Sequence, residues 1–151
     1  MTARQATFVR SRGFTLVELV VVMMIITILA GAIAVQVTNR VKMAKRARAL
    51  QDIGSLSTAL DLYAADNGNP PPTEQGLAAL RNKPSSSPVP TNWNGPYIDK
   101  SIPRDPWSSE YVYRFPGEEN TYGYDLICYG ADGQPGGDNE WNVDITNFDE
   151  E

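Results

Sequence analysis

No histidine occurs anywhere in the 151 residues. That removes the commonest general base, the Ser/His/Asp and Cys/His arrangements, and imidazole as a metal ligand. Cys128 is the one cysteine. It can form neither an internal disulfide nor a cysteine zinc cluster, and a lone thiol in a strand-like run reads as a small buried hydrophobe. Positive charge is missing from the C-terminal end, with no Lys or Arg after Arg114. The same stretch carries Glu118, Glu119, Asp125, Asp132, Asp138, Glu140, Asp144, Asp149, Glu150 and Glu151. Such a tail repels nucleic acid, so DNA and RNA are not expected partners, and it repels itself unless cations neutralise it. The formal net charge is −5. From Leu19 through Asn39 there is no charge of either sign.

That uncharged run dominates the chain. At about 1.5 Å per residue a helix over it crosses a bilayer core of about 30 Å. Arg4, Arg10 and Arg12 precede it, and Arg40, Lys42, Lys45, Arg46 and Arg48 follow it. With cations on both sides, charge counting does not set the orientation. A secretory signal cut near Ala30-Gly31-Ala32 or Ala32-Ile33-Ala34 is one reading, and a plain anchor is another. Glu18 argues against both. It lies five residues into the apolar segment, and an acid inside a membrane helix is a functional hypothesis that needs a cationic partner. A newly made α-amino group is a suitable one.

Arg12-Gly13-Phe14-Thr15-Leu16-Val17-Glu18 resembles the processing site of type IV pilins and type II secretion pseudopilins. The resemblance implies cleavage after Gly13, N-methylation of the new N-terminal Phe14, and retention of the apolar helix. It further implies that Glu18 of one subunit neutralises the Phe14 amine of a neighbour in a filament. The chain departs from the family at Val35, where a helix-loosening proline is usual.

Beyond the run, Leu50, Ile53, Leu56, Leu60 and Tyr63 or Ala64 recur at helical spacing and predict a continuing amphipathic helix. Asp66-Asn67-Gly68 and Pro70-Pro71-Pro72 stop it. Thr73 is placed to cap a short second helix from Glu74 to about Lys83. Tyr111, Tyr113 and Phe115 alternate along one strand, and Tyr122, Tyr124, Leu126 and Cys128 share a face of another. Pro116 to Asn120 turns the chain between them. The expected class is α+β.

Asp132 to Asp144 is the stretch that suggests a ligand. Its glycines let carbonyls turn inward, and its acids supply hard oxygen of the kind Ca²⁺ takes. Gln134 and Gly136 break the EF-hand pattern. Composition leaves a calcium loop and a solvated acidic turn both open.

Thr73-Glu74-Gln75-Gly76-Leu77-Ala78-Ala79-Leu80, Arg104-Asp105-Pro106-Trp107 and Tyr129-Gly130-Ala131-Asp132-Gly133-Gln134-Pro135-Gly136-Gly137 narrow the resemblance to major pseudopilins. It covers Arg12 almost to the C-terminus. It implies a type IV pilin-like fold: a long N-terminal helix packed on a small antiparallel sheet with a calcium loop. The implied segments are a leader at 1–13, a membrane and polymerisation helix at 14–39, and a periplasmic domain at 40–151. The implied ligands are the Tyr129 carbonyl and the Asp132 carboxylate, with Asp138, Asn139 and Asp144 as candidates for the rest. The implied partners are further copies of the chain, a prepilin peptidase, minor pseudopilins, an inner-membrane assembly platform and the membrane itself. A type IV pilin or minor pseudopilin is the close alternative, which the missing cysteine pair disfavours. A membrane-anchored envelope enzyme and a secreted calcium module are the more distant ones.

Overall fold

The computed structural model describes residues 13–148. The chain divides into two compact units, one ending at Arg40 and the other beginning at Val41. Helix α1, Leu16–Asn67, contributes to both. In the first unit every side chain described is exposed. By length and composition α1 carries a segment apolar enough to cross a membrane, and none of that window is buried within the protein. The helical backbone runs unbroken through Gly31.

In the second unit α1 turns one face into the core. Ala49, Ile53, Leu56, Ala59, Leu60 and Tyr63 are buried. Their spacing of three and four residues is one stripe of the helix. The stripe begins at Ala49 rather than at Leu50, which is 39% exposed. Burying Leu56 and Leu60 contributes about 1.5–3 kcal/mol each. The helix ends where its sequence says it should. Gly68 takes φ 88, its N–H donates to the Ala64 carbonyl, and Asn67 Nδ2 donates to the Tyr63 carbonyl.

The sheet lies against this face. Strands β1 (Val112–Arg114), β2 (Asp125–Cys128) and β3 (Ile145–Thr146) are antiparallel in the order β1-β2-β3. Val112 pairs with Ile127, Arg114 with Asp125, and Cys128 with Ile145. Tyr111 and Tyr113 are buried beside the strand positions between them, as the alternation predicts. The Tyr113 hydroxyl donates to the Pro71 carbonyl at 2.6 Å, which fastens the proline run to β1.

Three expectations are corrected. The second helix is a 3-10 helix, Leu77–Leu80, because Gly76 takes a φ of 57 that interrupts an α-helix. Thr73 does not cap it. Its Oγ1 accepts from the Phe115 N–H and donates to the Phe115 carbonyl instead. Tyr122 is fully exposed and precedes β2. The turn reaches as far as Gly123, where Gly117 N–H donates to the Gly123 carbonyl. Strand β3 was not legible, since two residues in an acidic tail show no alternation. Asn147 extends its ladder: Oδ1 accepts from Leu126 N–H at 2.7 Å, and Nδ2 donates to the Tyr124 carbonyl.

Candidate functional site

The head of α1 holds the first group of residues. Gly13 and Phe14 are exposed and precede the helix, which starts at Leu16. Glu18 lies in the first turn. Thr15 and Glu18 satisfy one another reciprocally. Glu18 N–H donates to Thr15 Oγ1 at 3.2 Å, while Glu18 Oε2 accepts from the Thr15 N–H at 3.3 Å and its hydroxyl at 3.4 Å. This is a capping box, and it places the carboxylate at the positive end of the helix. The Thr-x-x-Glu spacing that signals it is present in the sequence, although the family resemblance alone does not point to it.

The second group lies in the loop from Tyr129 to Asp144, between β2 and β3. Two glycines let it fold back on itself. At Gly130, φ 68, a Cβ would stand 2.9 Å from the Asn142 carbonyl oxygen. At Gly137, φ 110, it would stand 2.5 Å from Asn142 C and O. Ala131 N–H donates to the Trp141 carbonyl at 3.1 Å, and Asp144 N–H donates to the Gly136 carbonyl at 3.2 Å. Asp144 Oδ2 in turn accepts from the Gly136 N–H at 2.9 Å.

The candidate ligands are placed as follows. Tyr129 is half-buried directly after β2, and Asp144 is half-buried directly before β3. Asp132, Asp138 and Asn139 are exposed. Asp132 Oδ1 accepts from Gln134 N–H, and Asp138 Oδ1 accepts from Asn139 Nδ2. Asn139 Oδ1 accepts from Trp141 and Asn142 N–H. Among the described residues no three Asp, Glu or Cys side chains converge as a metal cage. A cation here therefore needs carbonyl oxygens as well as carboxylates, which suits Ca²⁺. One atom awaits a partner: Asp144 Oδ1 is buried and has no hydrogen bond. A buried anionic oxygen left unpaired is costly, and a hard divalent cation would satisfy it. On that observation the loop fits calcium.

Two buried acids brace the sheet, Asp105 beside the end of β2 that leads into the loop and Asp125 at its other end. Asp105 Oδ1 accepts from Trp107 N–H at 2.9 Å and Ser109 N–H at 2.7 Å, and Cys128 Sγ–H donates to its Oδ2 at 3.4 Å. Burial foremost, then the Asp105 carboxylate, push the Cys128 thiol up to about 12, against an opposing hydrogen bond from Gly130. A thiol so raised stays protonated and unreactive. Asp125 is fully buried and accepts three N–H groups, from Glu118 at 2.6 Å, Glu119 at 3.0 Å and Asn120 at 2.8 Å. Burial alone would raise its carboxyl, but these three donors, with Arg114 nearby, hold it below the usual range. Asp52 is a further polar anchor, accepting from the Tyr111 hydroxyl at 3.0 Å and facing Arg48 at 3.6 Å.

Comparison with known proteins places this architecture. Residues 36–148 match the family described as type II secretion system (T2SS), protein G, and residues 9–34 match the prokaryotic N-terminal methylation motif. The chain is 44% identical over 137 residues to the type II secretion system core protein G of Pseudomonas aeruginosa, covering 91% of this chain and 94% of that one. It is 41% identical over 141 residues to the core protein G of Vibrio cholerae, covering 89% and 94%. Among solved structures it is similar to the major pseudopilin of the type 2 secretion system of enterohaemorrhagic Escherichia coli. The TM-score is 0.59 at 36% identity, over 73% of this chain and 91% of that one. The α+β fold of a long N-terminal helix and a small antiparallel sheet is the one expected of that group. The chain belongs to the type II secretion system protein G family and is a major pseudopilus subunit.

Proposed function

We propose that this subunit is structural rather than catalytic, and that it polymerises through α1 into a periplasmic pseudopilus that drives folded proteins across the outer membrane. In this reading a prepilin peptidase cuts after Gly13 and Phe14 is N-methylated. The subunit is then stored in the inner membrane, with residues 40–151 in the periplasm. An assembly platform extracts it to join other copies and minor pseudopilins. Glu18 is the observation that carries the reading: a lone acid at the head of an apolar segment of α1 that is otherwise uncharged as far as Asn39.

The physical role of Glu18 follows from the dielectric. Two unit charges at about 4 Å interact far more strongly in a low-dielectric interior than in water. A Phe14 amine of a neighbouring copy set against the Glu18 carboxylate satisfies both charges. A subunit slipped along the filament would leave both unpaired. The pair therefore fixes axial register. The test is assembly of Glu18→Ala and Glu18→Gln in the membrane of a secretion-competent host, scored by pseudopilus length and by secretion of a reporter. Both variants should insert and be processed but fail to form filaments. Normal filaments from either would refute the role.

The acidic loop supports a second element of the proposal, a resident calcium ion. Asp132 and Asp144 would supply carboxylate oxygens and Tyr129 a main-chain carbonyl, with Asp138 and Asn139 completing the set. When bound, the ion supplies the positive charge that the C-terminal stretch lacks. Asp144 orients the loop through Gly136, and Gly130 and Gly137 permit the close backbone approach. Chelation should lower the melting temperature of the protein, and Asp132→Ala should abolish the difference.

A further inference from the structure

The core stripe of α1 does not stop at Ala49. Its continuation toward the membrane is occupied by Lys42, Lys45 and Arg46, on the same helical face. Lys42 Nζ stands 5.4 Å from the centroid of the Trp141 ring, and Lys45 Nζ 5.9 Å from that of Trp107. Arg46 Nη1 donates to the main-chain carbonyls of Glu140 and Val143, at 3.4 Å and 3.5 Å. Each cation engages a ring face or a carbonyl, groups that attract positive charge without carrying a formal negative one. None of the three forms an ion pair with Asp138, Glu140 or Asp144 among the described residues.

The result is a division of labour. Lys42 and Arg46 hold the loop down and Lys45 holds Trp107, while the loop's carboxylates are left for another cation. Trp107 is tied to the sheet, since its N–H is fixed by Asp105, which also holds Cys128 in β2. We propose that Lys42, Lys45 and Arg46 form a cationic latch that couples filling of the acidic loop to the first turns of α1 in the globular unit. The inference rests on the calcium reading of the loop. With the ion present, the loop is neutralised and the latch stays shut. With the ion removed, repulsion among Asp132, Asp138, Glu140 and Asp144 loads the latch, and both the loop and residues 42–49 loosen. Coupling of this kind is reciprocal, so the latch also favours ion retention. Extracytoplasmic divalent cation would thus govern how firmly the helix is held where assembly requires it.

The test is hydrogen–deuterium exchange on the full chain in lipid nanodiscs, in CaCl₂ and in EDTA. The wild type is compared with Lys42→Met/Arg46→Met, which keeps the apolar stems. Lys83→Met serves as a control for bulk charge. In EDTA the double variant should exchange about ten-fold faster at 139–144 than the wild type, as expected for a locally opened segment. Calcium should slow exchange at 138–144 in both proteins but at 42–49 in the wild type alone. Should the double variant fail to fold, Arg46→Gln alone should show the same pattern at about three-fold. Equal exchange in EDTA, the same acceleration in Lys83→Met, or an undiminished calcium effect at 42–49 in the variant would overturn the latch. No calcium effect at 138–144 in the wild type would overturn the calcium reading and the coupling with it, while the EDTA comparison still reports on the latch separately.

Discussion

Asp125 offers a quantitative check on how the β1–β2 hairpin is held. It is fully buried, sits opposite Arg114, and accepts N–H groups from Glu118, Glu119 and Asn120. Replacing it with alanine leaves three amide donors facing a void. An orphaned donor costs about 1–3 kcal/mol, and water reaching the outer edge of the turn offsets part of the sum. Asp125→Ala should therefore lose roughly 3–5 kcal/mol, among the larger effects of a single substitution. For a unit of this size that is a fall in Tm of roughly 10–25 °C. Tryptophan fluorescence of the full chain in mild detergent reports it. The pH dependence has a definite sign. The Asp125 carboxyl is depressed in the folded state, so its stabilisation is fully present above the unfolded value of about 3.9 and is lost as pH falls through the folded value. The wild-type advantage over Asp125→Ala should shrink below about pH 4. A difference under about 1 kcal/mol at neutral pH, or one that persists unchanged into strong acid, would mean that the Asp125 carboxylate does not hold the turn.

Two further outcomes follow from the same packing. With its thiol pushed up to about 12, Cys128 should resist iodoacetamide at pH 8 in the folded protein and react promptly once denatured; fast alkylation of the native chain would contradict the burial described. Gly137→Ala, which places a Cβ 2.5 Å from the Asn142 backbone at φ 110, should abolish the calcium-dependent rise in Tm while leaving the calcium-free Tm within a few degrees. Calorimetry with and without chelator measures both quantities.

The sequence read most clearly where chemistry is concentrated in a few adjacent residues. The uncharged run, Glu18 and the helix stop at Asn67-Gly68 each rest on one local rule, and α1 obeys all of them. The strand alternation at Tyr111 and Tyr113 was equally plain because one face is buried and the other is not. Legibility failed where a tertiary partner decided the outcome. Thr73 is a fine cap by type, yet Phe115 takes its hydroxyl. Tyr122 matched the alternation, yet Asp125 draws Glu118–Asn120 into a longer turn. Strand β3 depends on Asn147 continuing its ladder by side chain, which no periodicity reveals. Within the loop, Asp132 and Asp144 stood out by charge. The orphaned Asp144 Oδ1 and the cations of α1 across from Trp141 needed coordinates. Lys42, Lys45 and Arg46 read as a flank of the membrane segment, and the fold shows them also engaging the loop and Trp107.

Whether the subunit is processed before its apolar helix and keeps that helix is read from its intact mass and N-terminal fragments, taken from membranes of the native host. A chain beginning at Phe14 and carrying one added methyl group is the predicted result. A chain beginning near Ala32 or Ala34 would have lost Glu18 altogether, and one uncut from Met1 would offer no Phe14 amine for Glu18 to meet, so either result contradicts a processed and retained helix.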